Sequence, residues 1–456
     1  MHILPAVRRL EEAYADELVV IGVQAGKFIA ERVTDNIRTA TYRLAVRHPV
    51  VNDRQFRTWR AYNVQAWPTV ILVSPDGQYI GQHSGEFTFE QFSPIIETAI
   101  ELYSNAGLLD RTPLHFPLDP EPPSESPLRF PGKVLADPAG NRLFIADTGH
   151  NRVLVGTPSE DGSAVEVTRV IGSGEAGFED GPFEEAKLNH PEGMALAEGI
   201  LYIADKESHS IRAADLEAGT LTTIAGTGEQ GYTRTGGMGK ETALSSPWDV
   251  LESDSYLYIA MAGTHQIWRL YLLTGEVQPF VGSGRENIDD GPNPRATLAQ
   301  PSGLTTDEQR LFFADSESSA VRASDFSPEG YTQTLVGEGL FEFGDRDGPA
   351  LGARLQHCLG VAYRHNRIYI ADTYNNKIKV LDLATKTIST VLGSGGHEEL
   401  YEPGGLSVWD GGAEGKPLLY IADTNNHRVV RAEVGPEGEL LNSASVTLAA
   451  IEDGLI

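Results

Sequence analysis

Leu419-Tyr-Ile-Ala-Asp-Thr-Asn-Asn-His-Arg-Val-Val430 is one of six versions of a single phrase. The others are Leu143-Phe-Ile-Ala-Asp147, Leu201-Tyr-Ile-Ala-Asp205, Leu257-Tyr-Ile-Ala-Met261, Leu311-Phe-Phe-Ala-Asp315 and Ile368-Tyr-Ile-Ala-Asp372. Their last residues, 147, 205, 261, 315, 372 and 423, are separated by steps of 58, 56, 54, 57 and 51. A near-constant period over most of the chain after residue 130 is the signature of a repeat architecture.

Each unit has four pieces in fixed order. A Pro-x-Gly opening with a short apolar run comes first, as in Pro191-Glu-Gly-Met-Ala-Leu196, followed by the quoted phrase. A third run follows a turn, as in Asn376-Lys-Ile-Lys-Val-Leu381, and a fourth ends in glycine, as in Leu221-Thr-Thr-Ile-Ala-Gly226. Short β-branched and aromatic runs punctuated by Gly, Pro, Asn and Asp are strands and turns. Four antiparallel strands make a small sheet with two apolar faces, and each face needs a neighbour. Six sheets closed into a ring satisfy every face, which is a six-bladed β-propeller.

These residues resemble the NHL-repeat propellers, through the Pro-x-Gly opening, the Leu-Tyr-Ile-Ala-Asp phrase and the Asn-x-Arg/Lys-Ile/Val run that follows it. The resemblance covers about two thirds of the chain. Blade three departs from it, with Met261-Ala-Gly-Thr where the others have Asp.

A net charge of -28 opposes a phosphate-binding surface, because nucleic-acid affinity comes largely from Lys and Arg displacing counterions. One cysteine, Cys358, excludes an internal disulfide and any cysteine-pair metal site. It stands where the other five units have the Pro of Pro-x-Gly, so it is expected to pack as a small apolar residue. No run approaches the ~20 apolar residues of a membrane span, and the start lacks a secretory apolar core. The expected compartment is the cytoplasm, with neither membrane nor nucleic acid as a partner.

In the first hundred residues Ile3, Val7, Leu10 and Tyr14 recur at helical spacing. Strands are expected at 18–23, 50–51, 69–73 and 79–82, and helices at 37–47, 56–62 and 89–103, an α/β unit. Ala66-Trp-Pro-Thr-Val-Ile-Leu-Val73 and the Asp-Gly hairpin after it resemble the thioredoxin fold. The resemblance implies a cis peptide at Pro68, with Trp67 and Pro68 shaping a substrate groove. It also implies a strand and a Cys-x-x-Cys pair before the first helix, and neither is present, so thiol–disulfide exchange is not expected of this chain as written. Two explanations stand: the natural protein begins upstream of Met1, or the domain has decayed to a structural cap. Reading the codons before Met1 separates them.

The expected domains are a thioredoxin-like unit lacking its first strand and cysteine motif at 1–107, a Pro-rich linker at 108–129 with a short strand at 114–116, and the propeller at 130–456. The pairing of the two domains resembles NHL-repeat proteins that carry a thioredoxin-like domain in front.

Asp147, Asp205, Asp315, Asp372 and Asp423 share one position, and a catalytic group is needed only once. They are expected to accept backbone N–H bonds at turns. Asn151, His209, His265, Ser319, Asn376 and His427, four residues further on, are also read as turn residues. Gly172-Ser-Gly-Glu-Ala-Gly177 fits G-x-G-x-x-G, but its glycines recur between blades and no βαβ helix follows, so it is a turn and not a nucleotide site. The ring that can converge lies just before Pro-x-Gly: Phe130, His190, Ser246, Gln300, His357 and Glu402. His190, Gln300, His357 and Glu402 are the ligand candidates at the channel mouth. No metal is expected, although His190, His357 and Glu402 are suitable types for one.

No other cofactor is called for, and no catalytic constellation is evident. The expected function is a docking platform for a protein or small ligand. Two alternatives are a thiol–disulfide oxidoreductase, should upstream residues supply the cysteine pair, and a metalloenzyme of lyase or lactonase type.

Overall fold

The computed structural model describes residues 3–450, apart from residues 113, 115, 123 and 412–415. It divides into two compact units, Met1–Pro123 and Ser124–Ile456.

In the first unit the helices are α1 (Leu4–Ala13), α2 (Thr34–Arg43), α3 (Arg57–Ala61) and α4 (Phe89–Asn105), and the strands are β1 (Gly22–Gln24), β2 (Val50–Asn52), β3 (Thr69–Val73) and β4 (Tyr79–Ser84). Thr88 and Gln91 form a reciprocal capping box that starts α4. Leu10 of α1, Ile96 of α4 and Phe87 form the core, with Val70 and Leu72 of β3 packed against it. The strand expected at 18–23 begins only at Gly22, because an extended run becomes a strand only where a neighbour supplies hydrogen bonds, and β2 offers three residues of parallel pairing. The pairs β1–β2 and β3–β4 form two separate ribbons among the described residues. The single sheet that a thioredoxin-like arrangement implies is therefore not formed within them. The short strand expected at 114–116 includes residue 115, outside the described residues.

The second unit is a six-bladed propeller. Blade one runs through Val134–Asp137, Arg142–Asp147, Arg152–Pro158 and Ala164–Ile171, and blade six through Pro403–Trp409, Leu418–Asp423, Arg428–Val434 and Leu440–Ser445. Each blade pairs its four strands antiparallel in chain order. The second strands are buried on both faces, as Leu143, Phe144, Ile145 and Ala146 show at 0% exposure, so their apolar run is continuous instead of alternating.

Six apolar clusters lie between neighbouring blades, one at each junction. The sixth, where Val134 and Ile145 meet Trp409, Leu418 and Tyr420, closes the ring. The loops between blades add a two-residue strand, such as Gly181–Pro182, to the outer edge of blades two to five. In blade one Thr447–Ala450 takes that outer edge, pairing parallel to Ala164–Ile171.

Candidate functional site

Phe130, His190, Ser246, Gln300, His357 and Glu402 all have left-handed backbones, with φ of 48, 56, 50, 62, 50 and 48°. That region is uncommon for residues other than glycine. At five of the six positions a side chain from the preceding blade holds it in place. The amides of His190, Ser246, His357 and Glu402 donate to Asn151 Oδ1 (3.1 Å), His209 Nδ1 (3.0 Å), Ser319 Oγ (3.0 Å) and Asn376 Oδ1 (2.9 Å). The Phe130 amide donates to His427 Nδ1 at 3.1 Å, which latches blade six to blade one. Of the latch residues, read from sequence as turn formers, Asn151, Ser319, Asn376 and His427 are left-handed C-caps of short 3-10 turns, and His209 is left-handed as well, with φ of 47°. At the junction of blades three and four His265 Nδ1 is buried with no partner. Burial pushes the His209 and His265 imidazoles down to about 4.

The four candidates at this ring differ in exposure: His357 and Glu402 are buried, whereas His190 and Gln300 are half-buried. His190 Nδ1 meets Asn189 Oδ1 at 3.0 Å. The His357 ring stacks on Tyr374 with centroids 4.4 Å apart and lies 3.6 Å from Glu317. No three His, Cys, Asp or Glu side chains among the described residues come together as metal ligands, so His190, His357 and Glu402 stay on separate blades without converging.

Three residues further along these strands lies a constellation that the sequence reading missed. The third position of the opening motif is Lys133, Gly193, Asp249, Gly303, Gly360 and Gly405 in turn. Lys133 Nζ reaches Asp249 Oδ2 (3.5 Å) and the carbonyls of Ser302 (3.1 Å) and Leu359 (3.0 Å), so blade one is tied to blades three, four and five. Lys133 is 5% exposed and Asp249 9%. Beside them Lys206 Nζ pairs with Glu192 Oε1 at 2.9 Å and lies 4.7 Å from the Trp248 ring centroid. The signal was present: the two units that lack the motif's glycine carry opposite charges.

The five aspartates are fully buried, and each accepts an amide at 2.6 to 2.7 Å, from Arg129, Asn189, Ala299, Gln356 and Tyr401. They also pair with a cation: Arg152, Arg212, Arg322, Lys379 and Arg428 respectively. Burial pushes the Asp205 carboxyl up to about 6 and Asp372 up to about 7, against the pull of Arg212 and Lys379. In blades two, four and five the cation also bonds a loop aspartate that accepts from a threonine of the fourth strand: Asp180 with Thr223, Asp290 with Thr334, Asp347 with Thr390.

Blade three has replaced the whole set at matching positions, with Gly236, Met261, Trp268 and Pro279. There the Ser245 amide donates to Met261 Sδ at 3.2 Å, and Trp268 Nε1 donates to Gln266 Oε1 at 3.1 Å. Thr264 Oγ1, left without a partner, sits where Asn375 bonds Asp372 and Asn426 bonds Asp423.

In the first unit the Trp67–Pro68 peptide is cis. Trp67 is 46% exposed, donates Nε1–H to the Ala25 carbonyl at 2.7 Å and lies 4.4 Å from Trp59. Cys358 is fully buried, its Sγ directed at the Ala320 carbonyl at 3.3 Å, and burial holds its thiol well above the usual range. That position is inert to thiolate chemistry. No described helix is long and apolar enough to cross a membrane.

No protein-family model matches the chain. It is similar to NHL repeat-containing protein 2 of Bos taurus, 40% identical over 473 residues covering 94% of this chain and 64% of that protein. It is equally similar to Protein SUPPRESSOR OF QUENCHING 1, chloroplastic, of Arabidopsis thaliana, 40% identical over 471 residues covering 97% of this chain and 44% of that protein. The chain thus spans less than two thirds of the length of these relatives. Among solved structures, virginiamycin B lyase from Staphylococcus aureus aligns with a TM-score of 0.41 and 10% identity over 70% of this chain and 85% of that one.

Proposed function

Proceeding from its homology to NHL repeat-containing proteins, we propose that the propeller is a rigid docking platform for a protein partner or small polar ligand. On this reading it shares its chain with a thioredoxin-like unit that has no thiol redox activity as written. It acts in the cytoplasm and binds neither nucleic acid nor membrane.

The observation that carries the reading is the ring before the opening motif. Six positions share one backbone conformation, and five of them receive the same latch, yet their side chains are Phe, His, Ser, Gln, His and Glu. Because the neighbour's side chain fixes the backbone at five of these positions, the identity of the ring side chain can vary without altering the backbone there, and His190 and Gln300 are the two candidates that stay half-buried. The same scaffold can thus present different chemistry on each blade. Two features support the absence of redox work: the lone cysteine is buried, and its thiol stays protonated. The charge of -28 supports the exclusion of nucleic acid. A metalloenzyme acting through His190, His357 and Glu402 is not favoured, since those three residues do not converge.

The test is crosslinking of the tagged chain in cells, followed by comparison with a His190→Ala/Gln300→Ala variant. These half-buried side chains are not the latch acceptors, so the ring should survive their loss. Crosslinks mapping to the ring face and a capture reduced about tenfold, equivalent to ~1.4 kcal/mol, are expected. Equal capture by the variant refutes the reading. An insulin-reduction assay is expected to show no rate above buffer.

A further inference from the structure

The propeller axis is occupied by a charge that belongs to the chain itself. Lys133 comes from blade one, and its three acceptors come from blades three, four and five: the Asp249 carboxylate and the main-chain carbonyls of Ser302 and Leu359. The Asp249 carboxylate is fixed by the amides of Leu304 to Oδ2 (2.9 Å) and of Val250 to Oδ1 (3.0 Å). Glycines fill the other four equivalent positions, and space is the reason. A Cβ on Gly193 would fall 2.0 Å from Asp249 Oδ1, and one on Gly405 would fall 2.7 Å from Lys133 Cδ. Gly193 and Gly405 thus leave room for the two axial side chains, while a Cβ on Gly303 or Gly360 would meet the backbone of the next blade, 2.6 Å from the Leu359 carbonyl oxygen and 2.5 Å from that of Gly404.

One carboxylate with main-chain carbonyls is the donor set of a hard, oxygen-liganded cation, of which calcium is the usual biological example. We propose that the axis of this propeller is a cation site whose resident is Lys133, the ammonium standing where a divalent ion would otherwise sit. The assignment is independent of whichever partner the ring takes. A buried carboxylate needs a compensating positive charge, and here the charge is covalently attached and cannot dissociate. The wild-type ring therefore needs no free ion at its centre, and removing the side chain uncovers the site.

The experiment uses the full chain with Lys133→Gly, which gives blade one the Pro-Gly-Gly wording of residues 403–405. Thermal melts are run in chelator, in millimolar calcium chloride and in sodium chloride of matched ionic strength, with calorimetry for stoichiometry. Wild type should melt at one temperature in all three. The variant should melt lower in chelator and sodium, and calcium should restore most of the loss by binding one ion. Lys133→Gly/Asp249→Asn should not respond to calcium.

If Lys133→Gly does not accumulate folded in chelator, refolding it in calcium against sodium is the same test. Recovery in calcium alone supports the assignment, and failure in both overturns it. It is also overturned if Lys133→Gly melts alike with and without calcium, if calcium stabilises wild type equally, or if the double variant responds as the single does.

Discussion

Blade three is a natural rehearsal of a substitution that can be made in blade two. Asp205 and Arg212 are fully buried and 2.9 Å apart, at the positions of Met261 and Trp268. Asp205→Met removes one partner of a buried pair, a change that costs about 3–5 kcal/mol when the other charge is stranded. Arg212 is not wholly stranded, since it keeps Asp180 Oδ1 (2.9 Å) and the carbonyls of Lys187 (2.9 Å) and Glu179 (2.8 Å), which places that loss near ~3 kcal/mol. The Asn189 amide also gives up a 2.6 Å bond to a carboxylate for a weaker one to sulfur, adding about 1 kcal/mol.

At about 2 °C per kcal/mol for a unit of this size, the single variant should melt roughly 8 °C lower. Asp205→Met/Arg212→Trp removes the stranded charge and replaces the pair with apolar volume, so it should recover about half of the loss or more. The indole N–H still needs an acceptor, which Gln266 supplies in blade three and buried, unpartnered Ser210 can supply in blade two. Adding Ser210→Gln should therefore improve the double variant. Melts followed by circular dichroism read all three. A double variant as unstable as the single, or a silent single, refutes the view that the charge pair and the Met–Trp pair are alternative solutions to one packing problem.

Three further outcomes are expected. The His209 imidazole, held near 4 when folded and near 6.5 unfolded, binds fewer protons in the folded state, so stability is lost as pH falls from about 6.5 to 4. His209→Asn keeps a latch of the kind made by Asn151 and Asn376, and should remove up to about 3 kcal/mol of that acid sensitivity in urea titrations across this window. Gly193→Ala drives a Cβ against Asp249 and should lower the urea midpoint by the equivalent of about 2 kcal/mol or more, with m unchanged. Cys358 should resist a water-soluble thiol reagent in buffer and react fully in urea, measured by mass increase.

The propeller was legible because its period is carried by residues that must recur: each blade buries the same two faces and turns at the same points. The structural role of the aspartates was legible for the same reason, but their cations were not, since Arg152 and Arg428 stand at a different offset from Arg212, Arg322 and Lys379. The axial pair escaped because it lies in what the repeats do not share, and Lys133 and Asp249 are 116 residues apart. The latches escaped because a side chain that bonds the next blade's backbone leaves no periodic trace beyond a residue that tolerates the left-handed region. In the first unit the apolar run 18–23 promised a longer strand than forms, since sequence pattern reports willingness to extend and not the presence of a neighbour.

Residues 447–450 leave the ribosome after every other strand of the ring, yet their place is against the blade that was made first. Blade one must therefore wait through the synthesis of five others with its outer edge bare. That pairing can form only after residues 447–450 are made, so a stalled or shortened chain would expose an adhesive strand edge at the very blade that had longest to find a wrong partner.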